Sequence, residues 1–315
     1  MAFLFILPTW PIDVWTAAMR KTAPALDIRT WPDNMGRLAD IEYTAAWLPP
    51  PHAVSSLPNL KAIFSLGAGV DAILRDTTLP TDIPIVRVND SDLTGRMSEY
   101  IVLHVLLHHR QQRRIDANQK QKKWDSFATH AASALSVGIM GMGVMGQDSA
   151  LRLRDLGFKV VGWSRTRKQI EGIECFAGEA EFDAFLARTD ILVSLLPATP
   201  DTAGIINAQT IRKLSRNGPF GAAVIINAGR GQSQVAEDII AALDAGELHA
   251  ATLDVFTVEP LPPENPLWTH PKVTVTPHCA ADSDPEAICA YVARQIERHH
   301  RGLPLENLVD RTLGY

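Results

Sequence analysis

The stretch Val137-Gly138-Ile139-Met140-Gly141-Met142-Gly143-Val144-Met145-Gly146 reads as a buried strand that runs into a glycine turn and then into a helix over Val144–Leu156. Gly141, Gly143 and Gly146 have the G-x-G-x-x-G spacing of a dinucleotide-binding turn. The first glycine permits a tight turn, the second lets backbone N–H groups approach a pyrophosphate, and the third lets helix pack on strand. The helix N-terminus adds a favourable field for phosphate. Three spaced glycines also occur in ordinary strand–turn–helix units, so the context decides. An apolar strand precedes the turn, an amphipathic helix follows it, and Gly157-Phe158-Lys159-Val160-Val161-Gly162-Trp163 supplies the next strand.

A length of 315 residues exceeds one small core and predicts two domains. With 46% hydrophobic and 21% charged residues the composition is that of an ordinary globular protein. A net charge of −5 argues against nucleic acid or an anionic membrane as the main partner. The run Phe3–Leu7 has no basic segment before it and stops at Pro8, so it predicts a strand rather than a signal peptide or a membrane span. Cys175, Cys279 and Cys289 form no C-x-x-C pair and cannot all be disulfide-bonded, which points to a reducing, cytoplasmic setting. Cys279 follows a histidine, but no second histidine stands ready to activate it, so a small buried packing residue is expected there.

Outward from the glycine turn, strand and helix signals alternate. Before it, strands are predicted over Ala2–Leu7, Tyr43–Trp47, Lys61–Leu66 and Pro84–Val88, with a helix over Ile12–Lys21. Leu66-Gly67-Ala68-Gly69-Val70-Asp71 places two glycines at a strand's carboxyl end, where N–H groups can face an anion; by itself the loop is equally a tight strand-to-helix turn. Ser98 to about Gln121 predicts one long helix. His104 and His108 share a face of it, yet without an H-E-x-x-H pattern or a third ligand they predict packing or interface histidines and no metal site. The basic runs Arg110–Arg114 and Lys120–Trp124 predict a solvated face.

After the turn come strands over Ile191–Leu196, Ala222–Asn227, His249–Val255 and Lys272–Thr276. Helices over Ala208–Leu214 and Val235–Asp244 lie between them, the second closed by Gly246. The pattern predicts a doubly wound parallel sheet of about six strands. Asp284-Pro285-Glu286 then opens a helix that runs to about His300 and stops at Gly302. The roughly thirty residues beyond Ser283 are too few for a domain of their own. They are expected to complete the first one, giving a substrate-binding domain of 1–98 and 284–315 with a dinucleotide-binding domain, 99–283, inserted into it.

Three further stretches place reactive side chains just past successive strands: Asn227-Ala228-Gly229-Arg230-Gly231, Asp254-Val255-Phe256-Thr257-Val258-Glu259-Pro260 and Thr276-Pro277-His278-Cys279. Open α/β sheets bind ligands at these carboxyl ends. With the glycine turn, these motifs resemble those of the D-isomer-specific 2-hydroxyacid dehydrogenases over nearly the whole chain. Leu66–Asp71, Trp163-Ser164-Arg165-Thr166-Arg167-Lys168 and the ending Val309-Asp310-Arg311-x-x-Gly314-Tyr315 are most similar to the glyoxylate/hydroxypyruvate reductase A group of that family.

The resemblance implies two Rossmann-like domains, the smaller one flavodoxin-like, flanking a cleft that closes over the ligands. It also implies a homodimer in which the segment around Trp124 reaches the neighbouring subunit. Arg230, Glu259 and His278 are the implied catalytic set. Arg230 is a permanently charged fork suited to a carboxylate and carbonyl. His278 would be the general acid in reduction, with Glu259 raising its pKa. Trp47, Leu66, Ala68 and Gly69 join Arg230 and His278 as implied substrate contacts. The implied cofactor contacts are Gly141, Met142, Gly143, Val144, Met145, Gly146, Trp163, Ser164, Arg165, Arg167, Lys168, Leu196, Pro197, Thr202, Ala228, Arg230, Asp254 and His278, with Asp254 on the nicotinamide carboxamide.

One departure selects the cofactor. Enzymes that use NAD place an acid about 20 residues past the glycine turn, on the ribose hydroxyls. Here Ser164 stands there, followed by Arg165, Arg167 and Lys168. Two unit charges ~4 Å apart at an effective dielectric of ~20 interact by ~4 kcal/mol, so an acid would repel a 2′-phosphate that Ser164 and Arg165 would accept. The expected function is therefore NADPH-preferring reduction of small 2-oxoacids, glyoxylate and hydroxypyruvate first. The alternatives are an NAD(P)-dependent dehydrogenase of another 2-hydroxyacid, or a nucleotide-sensing corepressor-type protein on the same fold.

Overall fold

The computed structural model describes residues 1–314 and divides into two units, Met1–Leu93 with Asp282–Tyr315, and Thr94–Ala281. The first begins with β1 (Ala2–Ile6), α1 (Ile12–Thr22), β2 (Asp27–Thr30), β3 (Ile41–Ala46), β4 (Ala62–Ser65), α2 (Asp71–Leu74) and β5 (Ile85–Arg87). Its strands form a parallel sheet in the order β2-β1-β3-β4-β5. β1 shows why the run Ala2–Ile6 is apolar throughout: Phe3 and Phe5 enter the core on one face, Ala2, Leu4 and Ile6 the core on the other.

The second unit starts inside α3 (Ser91–His109), followed by α4 (Gln112–Lys120), β6 (Ser136–Met140), α5 (Val144–Asp155), β7 (Lys159–Ser164) and β8 (Glu174–Ala177). Then come α6 (Phe182–Ala187), β9 (Ile191–Ser194), α7 (Ala208–Lys213), β10 (Ala223–Asn227), α8 (Ala236–Asp244), β11 (Leu248–Leu253) and β12 (Val273–Val275). All seven strands are parallel, in the order β12-β11-β10-β9-β6-β7-β8. The direction of strand addition reverses between β6 and β9, and the glycine turn leaves the sheet at that switch point. Alternate residues separate the faces: Val224 and Ile226 pack with α3 and α5, whereas Ala223 and Ile225 pack with α6, α7 and α8.

The chain then returns to the first unit through α9 (Pro285–His300). Asp284 caps this helix, accepting the Ala287 N–H at 2.9 Å, and Gly302 beyond it takes a φ of 72°. Ile288, Cys289, Tyr291, Val292 and Ile296 share a core with Trp15, Ala18 and Met19 of α1. Past α9, Val309 donates to the Ile85 carbonyl, so the tail lies along β5.

Several expectations are corrected. The helix expected over Ser98–Gln121 begins earlier, at Ser91, and is broken at Gln111, whose φ is 53°. The reason is burial: Ile101 and Val105 of α3 are core residues, whereas α4 buries nothing. α4 is instead held by Arg113, which donates to the carbonyls of Pro271 and Val273 and to Thr274. The larger sheet has seven strands rather than about six, and β2 and β8 were not expected; both are four-residue edge strands with a single buried residue each, too short for alternation to read. Cys279 is exposed rather than buried, while Cys175 and Cys289 are buried, and all three are free thiols.

Candidate active site

Five loops leave the carboxyl ends of β6, β9, β10, β11 and β12, and glycines set how closely they pack. At Gly141 (φ 100°) a Cβ would stand 2.8 Å from the Leu195 carbonyl, and at Gly229 one would stand 2.7 Å from the Leu196 carbonyl. Both loops therefore close on the segment after β9, which carries Leu196 and Pro197. A Cβ at Gly231 would overlap the backbone of Phe256, so the loop bearing Arg230 lies directly against the loop bearing Asp254 and Glu259.

The last of these loops is built on Asp254, which is 1% exposed. Its carboxylate accepts from the Thr276 hydroxyl at 2.6 Å, the Cys279 N–H at 2.9 Å and the Ala280 N–H at 3.0 Å. Its carbonyl accepts the His278 N–H at 2.9 Å. The Tyr100 hydroxyl lies 2.7 Å from that of Thr276, so Tyr100 donates to Thr276 while Thr276 donates to Asp254. This web holds His278 at a φ of 53°. A left-handed non-glycine residue costs about 1–3 kcal/mol, and each hydrogen bond to a buried charge contributes about 1.5–3 kcal/mol. The web wins, and the histidine is presented on a rigid turn.

His278 Nδ1 lies 2.7 Å from Glu259 Oε2, and Glu259 Oε1 accepts the Phe256 N–H at 2.8 Å. The hydrogen bond to Glu259 raises the His278 pKa above its ordinary value, outweighing burial and the Arg230 charge, which lower it. Burial works to raise Glu259, but hydrogen bonds from His278 and the Phe256 amide, with the charges of His278 and Arg230, leave it below the usual carboxylate value. The pair thus favours imidazolium beside carboxylate, with Nε2 as the remaining ring donor. Arg230 is close enough for its charge to act on both, and its guanidinium also donates to the Gly229 carbonyl at 2.7 Å.

The glycine turn fits a dinucleotide. A Cβ at Gly146 would overlap the Gly141 carbonyl, and Gly141 needs its positive φ, so the fold itself demands both glycines. Gly143 is different: a Cβ there meets nothing within 4 Å. It opens α5, and no side chain caps that N-terminus, which leaves open space and orphan N–H groups where a pyrophosphate would lie. The Val144 side chain is exposed and that of Met145 half-buried, whereas Met142 is 1% exposed and packs its thioether over Gly162, so only its backbone can face a ligand.

At the end of β7, Ser164 donates to the Thr166 carbonyl, and Arg165 and Arg167 are exposed. Arg167 turns to the Cys175 carbonyl and Glu181, and the Trp163 indole donates to the Gly178 carbonyl. These two side chains brace the loop that carries Ser164, Arg165 and Lys168. Thr202 donates to the Pro197 carbonyl at 2.6 Å within a capping box with Thr199, and Ala228 is buried.

In the first unit, the Ser65 hydroxyl is shared between the carbonyls of Gly69, at 2.7 Å, and Gly67, at 3.1 Å, which draws the loop back onto the end of β4. Trp47 lies over Gly67, where a Cβ would overlap its ring, and stacks on Trp10 with centroids 4.8 Å apart. Leu66 is fully buried, so it supports this loop from beneath.

His104 lies against the Tyr100 ring, and His108 is 2.9 Å from the Thr252 hydroxyl, with burial pushing its pKa down to about 3. Among the described residues no group of three or more His, Cys, Asp or Glu could hold a metal ion. No described helix is long and apolar enough to cross a membrane. Gln234 and Tyr100 were not singled out by the sequence; Gln234 lies in the polar run Gln232-Ser233-Gln234 before α8, where nothing in the sequence sets it apart from its neighbours.

A family model described as the D-isomer specific 2-hydroxyacid dehydrogenase NAD binding domain matches residues 102–280. The chain is 39% identical over 320 residues to a glyoxylate/hydroxypyruvate reductase A of Yersinia enterocolitica, covering 100% of both chains. It is similar to the crystal structure of an NADPH-dependent glyoxylate/hydroxypyruvate reductase of Sinorhizobium meliloti in complex with NADP and sulfate. That match has a TM-score of 0.95 and 48% identity, and covers 100% of this chain and 99% of the other. A probable 2-hydroxyacid dehydrogenase of Rhizobium etli, in complex with NADP, HEPES and L(+)-tartaric acid, matches with a TM-score of 0.94 and 43% identity, covering 100% and 99%.

Proposed function

Because the chain belongs to the D-isomer specific 2-hydroxyacid dehydrogenases, we propose that it reduces small 2-oxoacids with NADPH, glyoxylate and hydroxypyruvate first among them. The observation that carries this reading is the His278–Glu259 pair, 2.7 Å apart, with the Arg230 charge acting on both. When bound, NADPH supplies a hydride to the carbonyl carbon of the oxoacid. The guanidinium of Arg230 holds the substrate's carboxylate and draws charge onto its carbonyl oxygen. His278 gives that oxygen a proton from Nε2, and Glu259 holds the ring in the tautomer and orientation that make Nε2 the donor. In the reverse direction the same nitrogen takes the proton from the hydroxyl. In the first unit, the loop Leu66–Gly69 with Trp47 is the proposed oxoacid-binding element.

The cofactor is proposed to lie with its pyrophosphate on the backbone of Gly141–Gly146 and its 2′-phosphate on Ser164, Arg165 and Lys168. Leu196, Pro197, Thr202 and Ala228 line its path, and the Asp254 loop receives the nicotinamide. The double variant Ser164→Asp, Arg165→Ala should shift the NADPH/NADH ratio of kcat/KM toward NADH by about tenfold or more, since ~1.4 kcal/mol is a factor of ten and a carboxylate near a phosphate costs more. An unchanged ratio would remove these residues from the assignment.

The pH dependence follows from the raised His278 pKa. Reduction needs the protonated ring, so its kcat/KM is flat at low pH and falls as pH rises through that pKa, while oxidation rises there. Glu259→Gln removes the largest raising influence, and burial then lowers the histidine; the falling limb should move to lower pH. A profile identical to wild type would mean that another group sets the limb.

A homodimer is proposed, with a second copy covering Trp124, which is 98% exposed, and Leu103 on the outer face of α3, 52% exposed. Arg114 pins this arm by pairing with Asp125 and stacking 4.1 Å above the Phe127 ring. Trp124→Ala should raise the dimer dissociation constant in sedimentation equilibrium; no change would place the interface elsewhere. A cytoplasmic location accords with three free cysteines.

A further inference from the structure

Gln234 lies in neither the catalytic set nor the cofactor set, yet it is 7% exposed with both ends of its amide used. Its Oε1 accepts from the Asn227 side-chain amide at 2.8 Å, and its Nε2 donates to the Val255 carbonyl at 2.9 Å. Asn227, wholly buried, accepts the Gly229 N–H at 3.1 Å and donates to the Arg230 carbonyl at 3.2 Å. Ser233, 1% exposed, donates to that same carbonyl at 2.7 Å. The backbone of Arg230 is thus gripped by Asn227 and Ser233, and Asn227 is tied through Gln234 to the segment between Asp254 and Phe256.

That segment carries the other half of the chemistry. Asp254 holds the turn of His278 and the Phe256 N–H holds Glu259. The Gln234 amide therefore joins the loop that carries Arg230 to the loop that positions the His278–Glu259 pair. Reactive groups must be held to about 0.5 Å for efficient chemistry. A long, flexible guanidinium needs a fixed base, and a buried amide with both ends satisfied supplies one.

We infer that Gln234 is a positioning residue that fixes Arg230 relative to the His278–Glu259 pair. The inference rests on the proposed roles of those three residues. Its test is a double-mutant cycle in the full-length protein, measured with NADPH and glyoxylate. Gln234→Leu removes both contacts, so the Asn227 amide keeps only its longer bonds to the Arg230 carbonyl and the Ser233 hydroxyl and the Val255 carbonyl loses its side-chain donor. Gln234→Glu keeps the shape and the Asn227 contact but puts an acceptor against the Val255 carbonyl, and it carries the test where the leucine variant does not fold.

Either variant should lose about tenfold or more in kcat/KM, chiefly in kcat, while the Kd for NADPH measured by fluorescence titration stays within about threefold. In an Arg230→Gln background the same substitution should cost less than about twofold more, because the group it positions is gone. A loss below about threefold in both variants overturns the inference. So does a loss of equal size in the two backgrounds, which is what a merely structural role gives. Should Arg230→Gln alone leave kcat/KM intact, the functional reading fails; a collapse in that variant with Gln234 variants at wild-type activity overturns only the positioning role.

Discussion

Replacing His278 by Gln is expected to lower kcat for glyoxylate reduction by about 10²–10⁴-fold, with NADPH affinity little changed. Glutamine is polar and of similar reach, so the loss isolates the proton. No other group is built to replace it. His104 and His108 are pushed toward the neutral form by burial, His108 to about 3. Glu259 lies below the usual carboxylate value and is deprotonated wherever the enzyme would work. The variant's residual rate should also lose the falling limb of the pH profile, since the titrating ring is absent. Stopped-flow measurement of NADPH oxidation, with circular dichroism to confirm folding, reads both. A folded variant with near-normal kcat would assign the proton to another group.

Replacing Arg230 by Gln is expected to damage kcat and KM together, with a fall in kcat/KM of about 10²–10³-fold or more. A charged fork facing carboxylate and carbonyl contributes to ground-state binding and to the charge that develops on oxygen, and mutational losses of such donors run at about 2.7–4 kcal/mol. The variant also withdraws the positive charge that now lowers the pKa of His278. The falling limb of the residual activity should therefore move to higher pH, the reverse of the Glu259→Gln shift. These opposite displacements separate a site acting through Arg230, Glu259 and His278 from three residues that are merely close. A rise in KM alone, with kcat intact, would confine Arg230 to substrate capture.

Much of this was legible in the sequence because the chemistry limits the residue types. Only glycine satisfies Gly141 at a φ of 100° or Gly146 against the Gly141 carbonyl. An arginine, an acid and a histidine at three successive strand ends have few structural reasons to occur in that order. The doubly wound arrangement followed from alternation within apolar strands, and α9 from the Asp284-Pro285 cap.

What escaped was decided by tertiary contact. The break at Gln111 depends on α4 finding no core, and the edge strands β2 and β8 are four-residue segments fixed by one neighbour each. The contacts of Arg167 to the Cys175 carbonyl and Glu181 join residues of separate elements that spacing alone does not bring together. Cys279 looked buried because the residue before it does not announce a left-handed turn, and the amide of Gln234 showed no role until Asn227 and Val255 stood on either side of it.

The central claim, that this fold is a working reductase rather than a nucleotide-sensing protein, is tested most directly by NADPH oxidation against a panel of 2-oxoacids with product analysis. Turnover with glyoxylate and hydroxypyruvate, yielding glycolate and glycerate in a one-to-one ratio with NADPH consumed, is the predicted result. Tight NADPH binding with no turnover on any 2-oxoacid would contradict it.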